Sequence, residues 1–75
     1  MTNIDIGKEI AERLINFDNI NNENYYPLLD RFINEYNITD MKEQNKIIMA
    51  VVHELTIRGY DIVSTEPFKL KNLKD

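Results

Sequence analysis

Between Asp40 and Arg58 the chain carries apolar residues on two sides of what reads as a single helix. Met41, Ile48, Val51, Val52 and Leu55 form one stripe at helical spacing, with Ile47 at its edge. Met49, Ala50, His53 and Ile57 form a second, weaker stripe on the far side. A helix apolar on both faces asks for cover from two directions. The rest of a 75-residue chain must therefore be arranged around it. Asp40-x-x-Glu43 has the spacing of a capping box at its start. Gly59 is suited to end it in the left-handed conformation, with Tyr60 placed to close the hydrophobic contact of a Schellman cap.

Two shorter amphipathic segments precede it. Over residues 4–17, Ile6, Gly7, Ile10, Ala11, Leu14 and Phe17 fall on one face, with Ile4 and Ile15 at its margin. Asp5, Lys8, Glu9, Glu12, Arg13 and Asn16 take the other face, and Thr2 or Asn3 can cap the start. Residues 18–24 carry four asparagines and no period, which reads as a loop. A second helix over residues 25–37 places Tyr25, Leu28, Leu29, Phe32, Ile33 and Tyr36 on one face. Asn22 or Asn24 caps it, Pro27 sits in its first turn, and Asn37 offers a left-handed stop.

After Gly59 the period changes. Ile62, Val63 and Thr65 are β-branched, Glu66-Pro67 marks a turn, and Phe68-Lys69-Leu70-Lys71 alternates apolar and basic. A β-hairpin over residues 60–71 is expected, the alternative being one strand with a loose tail. A lone two-stranded ribbon is marginal in water, so it must lie on the third helix or pair with another chain. If it covers the second stripe, Met49, Ala50 and Ile57 are core, which is the preferred reading. If it lies elsewhere, Met49, His53 and Ile57 form a partner or dimer surface. The expected fold is thus α+β and mostly α, a single domain of three helices followed by a C-terminal hairpin.

Composition narrows the function classes. There is no cysteine, hence no disulfide framework and no thiolate metal site, and one histidine cannot build a structural zinc centre. No cofactor or metal is expected. No apolar run approaches the roughly 18–20 residues that span a bilayer, and the N-terminus lacks a basic-then-apolar signal pattern. These features lead to the expectation of a cytoplasmic protein that does not engage a membrane. Gly7 and Gly59 are isolated, so no Gly-rich phosphate loop exists, and the one serine, Ser64, falls in a strand. No enzymatic activity is expected. Eleven isoleucines and ten asparagines against two alanines suggest an AT-rich coding sequence, bacterial or phage.

Charge gives the remaining signal. Residues 1–66 hold twelve acids and six bases, a net of −6, while residues 67–75 hold three lysines and one aspartate, a net of +2; together they make −4. Asp5, Glu9 and Glu12 lie along the open ridge of the first helix, Asp18 and Glu23 beyond its end, and Asp30 and Glu35 on the second helix. Carboxylates at i, i+4 stand about 5–6 Å apart, near the spacing of successive phosphates along a nucleic-acid strand. An acidic face built on Asp5, Glu9, Glu12, Asp30 and Glu35 is accordingly the candidate partner-binding surface. The plainer reading of these charges is a solvated face that keeps the chain soluble, interrupted by Lys8, Arg13 and Arg31.

Taken together, the residues predict a small non-enzymatic regulator of the phage or mobile-element kind that inhibits a host protein. A DNA-binding or DNA-encircling protein is one candidate target. A homodimer through Met49, His53 and Ile57 accompanies this reading, because a chain so short has little stability margin alone. The order of helix, helix, helix and hairpin follows a winged helix in outline only. Lys42, Gln44, Asn45 and Lys46 are the base-reading candidates that this alternative would offer. A pI near 4.9 argues against direct nucleic-acid binding. A structural or assembly subunit is the third alternative.

Overall fold

The computed structural model describes residues 1–17 and 22–74. Three helices, α1 (Asn3–Ile15), α2 (Tyr25–Asn34) and α3 (Met41–Ile57), precede two antiparallel strands, β1 (Tyr60–Thr65) and β2 (Phe68–Asn72). The α+β class and the hairpin expected from the sequence are both present; the loose-tail alternative is not.

The helix ends follow local chemistry. Thr2 caps α1: its hydroxyl accepts the Asp5 N–H at 3.1 Å, and the Asp5 carboxylate accepts the Thr2 N–H at 3.2 Å. This is a capping box. The one expected at Asp40 and Glu43 does not form. Asp40 caps α3 by accepting the Lys42 N–H at 3.3 Å, but Glu43 instead accepts from the Asn3 side-chain amide and lies beside Lys46. Asn24 occupies the cap position of α2 without a side-chain bond. That helix ends earlier than expected, at Asn34, because Glu35, Tyr36 and Asn37 donate to carbonyls three residues back and tighten the last turn. Asn37 and Gly59 take positive φ, 59° and 84°, as their positions suggested. Likewise α1 stops at Ile15, leaving Phe17 beyond the helix but partly buried against the core.

Helices α1 and α3 run side by side in the same direction. Asn3 meets Glu43 at one end, Gly7 lies against Ala50 in the middle, and Glu12 meets Arg58 at the other. The core is filled by Ile6, Ile10, Ala11 and Leu14 of α1, Tyr25, Leu28, Leu29, Phe32 and Ile33 of α2, and Ile47, Val51 and Leu55 of α3. Phe68 completes it from the hairpin, its ring stacked on Tyr25 at 5.3 Å and its N–H donating to the Glu23 carbonyl at 2.8 Å. The strand register slips by one residue at Val63, a bulge that leaves this side chain exposed.

This arrangement corrects the expectation for α3. Its buried line is Ile47, Val51 and Leu55; Met41 and Val52, assigned to that stripe, are exposed. The hairpin does not cover the second stripe either. Met49 and Ile57 are exposed by 73% and 61%. Thickness is the physical reason. The Cα envelope measures 35 × 25 × 16 Å, and with helices packing at axis separations of about 8–10 Å the shortest dimension holds two layers. The hairpin follows its largest inward side chain, Phe68, toward Tyr25. One side of α3 is left open.

Candidate functional site

The open side of α3 faces a hollow shared with α1. Met49, Ala50, His53 and Ile57 form its α3 wall, Ile4 and Lys8 its α1 wall, and Lys46 and Glu54 its rim; the volume is about 680 Å³. Ala50 forms part of the floor because Gly7 lets the two helices approach closely there. A second hollow of about 430 Å³, lined by Ile48, Met49, Val52, His53 and Thr56, shares Met49 and His53 with the first. The α3 face from Lys46 to Ile57 is therefore one continuous, mostly apolar trough. Exposed apolar groups gathered in this way mark interaction surfaces, whereas single ones do not.

Of the residues expected at a partner or dimer surface, Met49, His53 and Ile57 do come together. Ile4 and Lys8 were not foreseen there. Ile4 was marginal on the helical wheel of α1, and that position was the only available signal. It is 64% exposed and stands in the trough.

The acidic residues stand exposed on the helices where the sequence placed them. Asp5, Glu9 and Glu12 are exposed on α1, and Asp30 and Glu35 on α2. Arginines pair with two of the five, Glu12 and Glu35. Arg58 reaches Glu12 across the α1–α3 seam and holds Glu54 at 3.1 Å within its own helix. Arg13 pairs with Glu35, and Arg31 holds Glu23 at 2.7 Å. Glu9 accepts from the Tyr36 hydroxyl at 3.4 Å. A hollow of about 380 Å³ beside these groups is lined by both signs: Lys8, Arg13 and Arg58 with Glu9 and Glu12. Asp5 and Asp30 have no ion pair among the described residues; Asp5 is engaged by its cap. Asp18 lies outside the described residues, as does the first part of the expected loop, residues 18–21.

The titration directions agree with these contacts. The Asp5 carboxyl is held below its ordinary value first by the Thr2 backbone N–H and then by the Thr2 hydroxyl. Glu12 is lowered by the hydrogen bond and charge of Arg58, and Glu43 by the Asn3 amide and then Lys46. Burial raises the Tyr36 phenol, and the nearby Glu9 carboxylate adds to the effect.

Among the described residues no three histidine, aspartate or glutamate side chains come together as a possible metal set. No helix among them is long and apolar enough to cross a membrane. The polar start of α3, which a winged helix would use to read bases, is partly committed to the fold. The Gln44 amide donates to the Ile38 carbonyl at 2.8 Å, and Lys46 lies 3.5 Å from Glu43. On the hairpin, Lys69 and Lys71 are exposed along β2, where lysines discourage edge-to-edge pairing. No family model matches the chain, and neither a curated protein nor a solved structure matches it.

Proposed function

We propose that the chain is a small non-enzymatic regulator that works by binding another protein, in the manner of an inhibitor, and that its contact surface is the α1–α3 trough. The observation that carries this reading is the trough itself. Ile4, Met49, Val52 and Ile57 are large apolar side chains exposed by 43–73% on one continuous face, and covering them with a partner would bring the burial gain that the isolated chain forgoes. The acidic groups Asp5, Glu9, Asp30 and Glu35 do not line this surface, and Glu35 is already paired with Arg13. The isoleucine- and asparagine-rich composition supports a low-GC bacterial setting with a cytoplasmic host protein as target.

Photo-crosslinking in the cell that encodes the chain tests this reading. A photoreactive residue at position 49 is expected to give discrete protein adducts, and the same residue at position 30 or 9 is not. Adducts from positions 9 and 30 without any from 49 would transfer the contact to the acidic face. No adduct from any position would remove the protein-binding reading.

A further inference from the structure

Charge around the trough narrows the partner that fits it. On the outward line of α3, Lys42, Lys46, Met49, His53 and Thr56 follow one another at three- and four-residue steps without a single acid. The one carboxylate in the wall is Glu54, and it is engaged: its side chain is 13% exposed and lies 3.1 Å from the Arg58 guanidinium. Lys8, on the α1 side, has no ion pair among the described residues. Lys46 on the α3 side has only the exposed, 3.5 Å pair with Glu43, a contact of the kind that contributes little. Two lysines, Lys8 on the α1 wall and Lys46 on the rim, thus border a mostly apolar trough on a chain whose net charge is −4.

Resting on the protein-binding reading above, we infer that the trough receives an acidic amphipathic helix of a partner protein. Its apolar stripe lies over Ala50 and between Ile4, Met49 and Ile57, and its flanking carboxylates face Lys8 and Lys46. The size agrees. Lys46 to Ile57 is twelve residues of helix, about 16–18 Å at 1.5 Å per residue, long enough for the i, i+4, i+7 anchors of a helix seated in a groove, which span about 10–11 Å. A second copy of the chain is a poorer occupant. A two-fold dimer brings two copies of the same patch together, so Lys8 and Lys46 of both copies would share one interface with only the already paired Glu54 to offset them. A flat anionic bilayer fits poorly as well, because it repels a chain whose net charge is −4.

The full chain and two labelled helical peptides of about 16 residues provide the test. One carries leucines at i, i+4 and i+7 with glutamates on both flanks; its twin has lysines in place of the glutamates. Fluorescence anisotropy at low salt is expected to show the glutamate peptide binding at least about tenfold more tightly than its twin. The Lys8→Glu, Lys46→Glu double variant is expected to reverse the preference. That gain of binding to the lysine twin also demonstrates that the variant is folded. Equal affinities, no binding of the glutamate peptide, or an unchanged preference in the double variant would each overturn the inference. A chain that elutes as a dimer and dissociates on Met49→Asp would assign the trough to a second copy instead. Preferential binding to phosphatidylglycerol vesicles over the peptide would assign it to a membrane. If the peptides fail while crosslinks from position 49 persist, the partner chemistry is wrong and the protein-binding reading stands; if both fail, both are wrong.

Discussion

A methyl group built on Gly7 would lie 2.6 Å from the Cβ of Ala50, and 3.2 and 3.3 Å from the backbone of Ala50 and Val51. Glycine at this point lets α1 and α3 touch, and the contact forms the floor of the trough. Gly7→Ala gains helix propensity worth up to about 1 kcal/mol, but it drives a carbon into atoms fixed to the facing backbone, an overpacking cost of about 1–3 kcal/mol. The expected result is net destabilisation and a widened trough. Adding Ala50→Gly is expected to return part of the loss, as urea unfolding of the two single variants and the double variant would reveal.

Tyr25 supplies a second prediction. Its ring is buried beside Phe68, and its hydroxyl has no hydrogen-bond partner among the described residues. Burial, and then the neighbouring Tyr26, push its pKa up to about 12. Because a buried hydroxyl without a partner costs free energy, Tyr25→Phe is expected to be neutral or to stabilise by up to about 1 kcal/mol. The folded-state pKa lies above the ordinary value of 10.0, so the chain with Tyr25 has its full stability below pH 10 and loses it as pH rises toward 12, and the advantage of Tyr25→Phe grows over that window. In an ultraviolet titration of the four tyrosines, Tyr25→Phe is expected to remove the latest transition. A destabilised variant that keeps the late transition would contradict this assignment.

The acid side follows from Asp5, Glu12 and Glu43, whose carboxyls are all lowered by hydrogen bonds in the folded chain. A lowered folded-state pKa gives stability that is present above the ordinary carboxylate range and is lost as pH falls through and below it. Urea midpoints are therefore expected to fall between about pH 5 and pH 3. Glu12→Gln is expected to flatten that decline without abolishing it, since the Thr2 cap and the Asn3–Glu43 bond remain. A decline of unchanged steepness would show that Arg58 does not hold Glu12 in solution.

How much of this was legible in the sequence depended on the range of each interaction. The helices and the left-handed residues Asn37 and Gly59 follow from periodicity and backbone preference, which act within a few residues. Capping was legible as a pattern but ambiguous as an outcome. Asp40-x-x-Glu43 has the right spacing, yet Asn3 of another helix takes the Glu43 side chain. Met49, His53 and Ile57 could be grouped because they share one helix. Ile4 and Lys8 could not, because they join that group only where Gly7 admits Ala50. The acidic ridge and the bases that interrupt it were legible, but the pairings of Arg58 with Glu12 and Arg13 with Glu35 were not, because they join different helical segments.

The claim that the α1–α3 trough is the contact surface is tested most directly through the methionine methyl groups. Met1, Met41 and Met49 are exposed by 80%, 73% and 73%, so solvent access alone does not distinguish them. Only Met49 lines the trough. In a carbon-13 methyl spectrum of the full chain titrated with the glutamate-flanked helical peptide, the Met49 signal is expected to shift while those of Met1 and Met41 stay in place. A Met49 signal that does not move at saturating peptide, or one that moves no more than Met41, would contradict the account.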